Sequence, residues 1–458
     1  MLIPSKKILL SAVIPLIVLL VIFGWFLNVV FEDETPTIHL DQLPLYLSER
    51  ATANLQIADR KRGLKKLKVV LSQEGREVTI LDKKFPFEGL FNRRGLREYA
   101  GELEIDPSQH SLAQGRVDLH VHVWDFSRKG GGDGNHAVAH HKMVIDTIPP
   151  AIRAVSRMHN VNLGGAGLII YQASSDTKES GIFVEDLFFP GFAIEGTDMK
   201  GIHHCYFALP YGMSPNPTIY LWAKDRAENE SKTTFYYHVR KRKFRQERIK
   251  ITDRFLKRVL PYFSFYPDEP GESEIQRYVR INNQMRAENH RTLLDMAKST
   301  DVQRLWNGPW LRPKNSATMA RFGDRRAYIY RGKTIDEQVH LGIDLASLAN
   351  SPVQAGNTGR VVFADKLGIY GIAVLLDHGQ GIASLYGHLS QAVVTSGQEV
   401  QKGDLIGHTG QTGLAGGDHL HFSMIVNGVF TNPIEWWDAH WIQDNITRKT
   451  ALIEGDTS

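Results

Sequence analysis

Two short motifs toward the C-terminal end of the chain could together hold a metal ion: His340-Leu-Gly-Ile-Asp344 and His419-Leu-His421-Phe422. A catalytic zinc ion takes three protein ligands, nitrogen from His and oxygen from Asp or Glu, and keeps a fourth position open. Two histidines and an aspartate satisfy that rule. On a β-strand alternate residues share a face, so His419 and His421 project together while Leu420 and Phe422 enter the core. Spacing alone is not decisive, because His120-Val121-His122 repeats the pattern. There the histidines share a face with Asp118 and Trp124, opposite a valine-rich face, which predicts an exposed strand face without metal. The C-terminal pair has a richer setting. Gly410, Gly413, Gly416 and Gly417 lead into it, and Ser384-Leu-Tyr-Gly-His388-Leu-Ser390 brings a further histidine to a glycine-flanked turn. Five candidate groups, His340, Asp344, His388, His419 and His421, thus come from three separate segments.

In order and spacing, His340-x-x-x-Asp344, Ser384-x-Tyr386-x-His388-Leu389-Ser390, the turn from Gly403 to Gly413 and His419-Leu420-His421-Phe422 resemble the M23 zinc metallopeptidases of the lysostaphin or LytM type. Four motifs agreeing in order make the resemblance specific, over about residues 335 to 435. It implies that His340, Asp344 and His421 ligate Zn2+, and that His388 and His419 are catalytic histidines outside the ligand set. It also implies cleavage of peptide bonds in bacterial peptidoglycan. Zinc in such a site acidifies water and polarises the scissile carbonyl. His419 is then the candidate base, and His388 the group that stabilises the oxyanion or protonates the leaving amine. Tyr386 is either a hydrogen-bond donor or a wall of the cleft. The sequence departs from the usual pattern at Ser423, where a glutamate commonly stands, and this bears on how the ligands are oriented.

Positioning such groups requires a rigid frame. Strand-like segments at 359–364, 371–376, 383–386 and 419–426, punctuated by glycine, predict an all-β peptidase domain over residues 326–445, of barrel-sandwich type, with a tail at 446–458. Upstream, the alternation of Val117, Leu119, Val121 and Val123 and short strands at 66–72 and 77–81 predict β-sandwich-like domains at 36–147 and 148–245. The paired prolines of Asp146-Thr-Ile-Pro149-Pro150 enforce an extended link between them. Val121-His-Val-Trp-Asp125 is echoed by Ile219-Tyr-Leu-Trp-Ala-Lys-Asp225, and both segments resemble the immunoglobulin-like modules of bacterial envelope proteins. Residues 246–325 read as a basic linker and helical connector, because Tyr278, Ile281, Met285, Leu293 and Met296 recur at three- and four-residue intervals. Polar residues around Asn282 to His290 suggest that this connector shields the site.

The run from Ile8 to Phe31 contains no charged residue, and as a helix it would measure roughly 36 Å, enough to cross a bilayer. Lys6 and Lys7 precede it and Glu32, Asp33 and Glu34 follow it. The positive-inside bias therefore predicts a cytoplasmic tip and transmembrane anchor over residues 1–35. The chain is expected in the inner membrane of a double-membraned cell, single-pass, with its C-terminal bulk in the periplasm. A net charge of +4, from 54 basic and 50 acidic residues, lacks the one-sided basicity of a nucleic-acid binder. A lone Cys205 excludes intramolecular disulfides and thiolate zinc clusters. The expected molecule is mainly β, with one N-terminal transmembrane helix, two sandwich-like domains, a helical connector and the peptidase domain. Its expected function is that of a membrane-anchored zinc metalloendopeptidase acting on peptidoglycan peptides, its β domains available to envelope protein partners. The alternative is a catalytically silent regulator that binds or activates another wall hydrolase.

Overall fold

The computed structural model describes residues 6–196 and 199–453 and is mainly β. Helix α1 (Lys6–Val30) includes Val13–Val30, a stretch long and apolar enough to cross a membrane. Side chains from Val13 to Asn28 are exposed, with the Phe91 ring lying against Trp25 and Phe26 near the end of the helix. The chain divides into two compact units, residues 1–149 with 226–229, and residues 150–225 with 230–458. The first break falls between the paired prolines.

The first unit is a sandwich of two sheets. Strand β1 (Ala51–Ala58) is central in a three-stranded sheet. Strands β2 (Leu64–Gln73), β3 (Gly115–Asp125) and β4 (His136–Ile145) lie side by side in a five-stranded one. Valine and leucine at every second position of β3 are fully buried and pack with Leu55 and Ile57 of β1 in one core. The period-two pattern dictates this, because only one face of each sheet can be covered.

The second unit begins with two four-stranded sheets built on β5 (Ala166–Ala173), β6 (Thr177–Val184), β7 (Ile202–Ala208) and β8 (Ile219–Asp225). Strand β9 (Gln246–Ile251) then pairs in parallel with β10 (Arg325–Tyr330). A parallel pair needs a crossover, and the helical segment supplies it as α2 (Asp253–Val259), α3 (Glu274–Arg280) and α4 (Arg286–Lys298). A π-helical turn at Ile281–Met285 joins α3 to α4. Tyr278, Ile281, Met285 and Leu293 are buried, as their spacing predicts. Strand β11 (Lys333–Val339) forms a hairpin with β10 and delivers the chain to His340. Strands β12 (Ile343–Ala346), β13 (Ile372–Asp377), β14 (Ile382–Ala392) and β15 (Leu420–Val426) belong to a ten-stranded sheet, in the order β12-β15-β14-β13. One continuous core links Leu168 and Ile170 of β5, Tyr278 and Ile281 of the helical segment, and Leu385 and Phe422 of this sheet.

The short helix α5 (Pro433–Trp437) fastens the end of this sheet to β5. Its buried Glu435 accepts hydrogen bonds from Asn162 Nδ2 at 2.7 Å and the Ala166 amide at 2.9 Å. Burial pushes the Glu435 carboxyl up to about 7, against an ordinary 4.5, and the two hydrogen bonds only partly offset this. A raised folded-state pKa means that the unfolded chain ionises first as pH rises. The group's stabilisation is complete below pH 4.5 and is lost as pH rises through about 7, a change of about 3 kcal/mol. Urea unfolding should show stability falling across that window, with the slope reduced in Glu435→Gln. An unchanged slope in the variant would acquit Glu435.

Candidate active site

His340, Asp344 and His421 meet in one place. Asp344 on β12 is the direct cross-strand partner of His421 on β15, which places both side chains on one face. His340 sits in the turn before β12, where its amide donates to Asp324 O and Gly323 N donates back to its carbonyl. His340 Nε2 lies 2.9 Å from Asp344 Oδ1 and 3.1 Å from His421 Nδ1, and His421 Nδ1 lies 3.0 Å from Asp344 Oδ1. Gly342 is required between the first two residues. A Cβ there would stand 2.5 Å from the His421 ring and from Ser423 Oγ.

Outer partners fix which nitrogen faces inward. His340 Nδ1 donates to Arg321 O at 3.1 Å, leaving the Nε2 lone pair for the centre. Ser423 Oγ donates to Leu341 O at 2.8 Å, so it accepts from His421 Nε2 at 2.9 Å and leaves Nδ1 free. Ser423 therefore orients a histidine itself, in the place where glutamate was the expected residue. Burial pushes His421 down to about 4, so it is neutral near pH 7. Burial alone would raise the Asp344 carboxyl, but the charge of His340 and hydrogen bonds from His340, His419 and His421 hold it well below the usual range. Arg326 of β10 binds the outer oxygen, Asp344 Oδ2, at 2.9 Å and is itself held by Glu247 of β9 at 3.1 Å.

Three ligand-type atoms thus converge, all within 4.8 Å of one another. Their edges of about 3 Å suit ligands that each stand roughly 2.0–2.1 Å from one zinc ion. The donor set, two imidazoles and one carboxylate, fits that metal.

His419 and His388 flank the centre. His419 Nδ1 donates to Gly417 O at 2.8 Å, and its free Nε2 lies 3.6 Å from Asp344 Oδ1. Burial lowers the His419 pKa, but hydrogen bonding and attraction from Asp344 outweigh it and leave it raised. His388 Nδ1 donates to Thr412 O at 2.8 Å, and its ring centroid is 4.8 Å from that of His419. Burial holds His388 well below its ordinary pKa. Simple alternation would put His388 on the side of Tyr386, which pairs with Phe422 toward the core. Instead His388 adopts φ +62°. This left-handed residue turns its ring to the opposite side, beside the glycine that faces His421. Tyr386 consequently stays in the core, its hydroxyl bound to the Gly356 amide at 2.7 Å and to Ser384 at 3.1 Å.

The five residues open into a cavity of about 480 Å³, part of whose wall is formed by Phe255, Tyr278, Asn282 and Arg286 of the helical segment. A second cavity of about 810 Å³ shares Glu247 and Arg326 with it.

Comparison with known proteins covers this same region. Residues 338–433 match the family described as Peptidase family M23. The C-terminal region is a peptidase M23 domain. Over 97 residues this domain is 39% identical to the DD-carboxypeptidase/endopeptidase Mpg of Neisseria meningitidis serogroup B, covering 21% of this chain and 22% of that protein. Over 124 residues it is 32% identical to the murein hydrolase activator EnvC of Escherichia coli K12, covering 27% and 28%. The chain spans about a fifth of the length of the first of these relatives. A crystal structure of a putative M23 peptidase from Pseudomonas aeruginosa aligns with 60% of this chain and 94% of its own, at 18% identity and a TM-score of 0.38.

The M23 domain contains all five candidate residues, whereas His120 and His122 lie outside it on the uncovered face of β3. There they meet neighbours on β4: His120 lies edge-on to His140, and His122 stacks on His136, whose ring nitrogen is 3.1 Å from His122 Nδ1. His378, two strands from the centre, is a fully buried core residue bound to Thr358 O and Ser384 Oγ, each at 2.7 Å. Arg326 and Glu247 carry no motif that spacing could reveal, and only the β9–β10 pairing brings them to Asp344.

Proposed function

We propose that the M23 domain makes this protein a membrane-anchored zinc metalloendopeptidase that hydrolyses peptide bonds of peptidoglycan. The observation that carries the reading is the convergence of His340, Asp344 and His421, with two further histidines presenting free nitrogens beside them. Zn2+ held by that triad would supply a Lewis acid for the scissile carbonyl and lower the pKa of water. The remaining work belongs to side chains. His419, its Nδ1 tied to Gly417 and its basicity supported by Asp344, takes the proton from the attacking water. His388, neutral at rest and with its ring centroid 4.8 Å from that of His419, receives that proton and passes it to the leaving amine as the C–N bond breaks, which returns both histidines to their starting state. Arg326 holds the outer oxygen of Asp344 and so fixes the direction of the inner one. The cavity along Glu247 and Arg326 accommodates an extended peptide. Helix α1 serves as the anchor in the inner membrane, with the bulk of the chain in the periplasm.

The similarity to EnvC supports a second reading, a silent regulator of another wall hydrolase. The full chain in detergent, with its zinc content measured, is incubated with purified peptidoglycan, and the soluble products are identified by mass spectrometry. Muropeptides differing from the substrate by one hydrolysed peptide bond are expected. If nothing is released, yet a separate amidase is accelerated, the regulator reading replaces the enzyme.

A further inference from the structure

Three carboxylates are buried together in the first unit, remote in sequence from the M23 domain: Glu32, just after α1, Asp59, just after β1, and Asp125, at the end of β3. They are 5%, 2% and 0% exposed, and each offers an oxygen within 4.8 Å of the others. Asp125 is well supplied with donors, its Oδ1 accepting from the Ser127 and Asn135 amides and its Oδ2 from Asn135 Nδ2 at 2.8 Å. Glu32 Oε2 accepts from the Glu34 amide at 2.8 Å, and Oε1 from Asn135 Nδ2 at 3.0 Å. Asp59 differs. The Gly63 amide occupies its Oδ1, but Oδ2 is buried and no donor reaches it among the described residues.

Charge points the same way. The buried Arg62 guanidinium donates to the carbonyls of Phe126 and Phe91 rather than to a carboxylate. Lys61 stands 3.3 Å from the exposed Glu34 and 3.9 Å from Glu32, so Glu34 accounts for it. Three buried carboxylates thus outnumber the one buried guanidinium, in a place where unpaired charge is costly.

We propose that Glu32, Asp59 and Asp125 form a binding site for one calcium ion. An all-oxygen, carboxylate-rich donor set selects hard divalent cations over zinc, and calcium accepts the irregular geometry that loop and strand-end ligands provide. Gly63 allows the loop after Asp59 to fold back, since at φ +80° a Cβ would stand 2.8 Å from Leu96 O. The ion would clamp the residues that follow α1 onto the sandwich, reinforcing the bonds from Ser127 Oγ and Asn135 Nδ2 to Glu32 O and from the Arg128 amide to Val30 O.

The test uses the full chain in detergent micelles after treatment with a calcium chelator. Calorimetric titration with calcium chloride should show one site. Calcium at a hundredfold its dissociation constant should raise the unfolding midpoint by about 5–10 °C. Glu32→Gln and Asp125→Asn should each lose both effects, whereas His421→Ala should retain them, which separates this site from the M23 centre. Absence of calcium binding in the unaltered chain, with stability rising as pH falls, would show that protons neutralise the cluster and would overturn the proposal. Unchanged binding in both carboxylate variants would overturn it equally.

Discussion

Replacing His421 by alanine should leave purified protein without stoichiometric zinc and abolish release of soluble fragments from peptidoglycan. The residue supplies one of three converging ligand atoms, at 3.0 and 3.1 Å from the other two. A two-residue remnant cannot close around the ion, and the rate should fall by about 10³-fold or more, the scale of several kcal/mol of lost charge stabilisation. The fold should survive. His421 lies in a central strand, but truncation removes one ring from an acceptor-rich cluster and costs about 1–3 kcal/mol, which the continuous core of the second unit can absorb. Metal analysis, turnover on sacculi and a thermal unfolding curve on one preparation separate these effects. A variant that keeps its zinc and its activity would remove His421 from the centre.

His388→Asn should give the opposite combination, zinc retained and catalysis lost. Asparagine tolerates the left-handed backbone that His388 adopts, and its amide can reproduce the Nδ1 hydrogen bond to Thr412 O. Only the free Nε2 disappears. Loss of a proton-transferring group at that point should lower kcat by about 10²–10⁴-fold with little change in KM. A fall in zinc content parallel to the fall in rate would mean that His388 acts through the metal centre and not on the proton.

Much of this arrangement was legible in the sequence because it rests on local rules. Alternation in His419-Leu420-His421-Phe422 follows from strand geometry, and Phe422 is indeed in the core. The helical segment declared itself through Tyr278, Ile281, Met285 and Leu293. What escaped depends on pairings between distant segments or on single dihedral angles. His388 shares a strand face with Tyr386 in any periodic reading, and one positive φ separates them. Ser423 looked like a missing orienting residue, yet its hydroxyl bridges His421 to Leu341 O. Arg326 reaches Asp344 only through a register that no local pattern encodes. The acidic cluster escaped for the same reason, since Glu32, Asp59 and Asp125 lie in three unrelated sequence contexts.

The parallel pairing of β9 with β10 has a consequence for the order of assembly. Glu247 and Arg326 face each other only after the whole helical crossover between them has been synthesised and packed, and such non-local contacts form late because loop closure precedes any gain from them. The arginine that steadies Asp344 therefore arrives near the end of folding. A newly made or partly unfolded chain would carry its histidines without the clamp that aligns their carboxylate partner, so alignment of the site is coupled to completion of the fold.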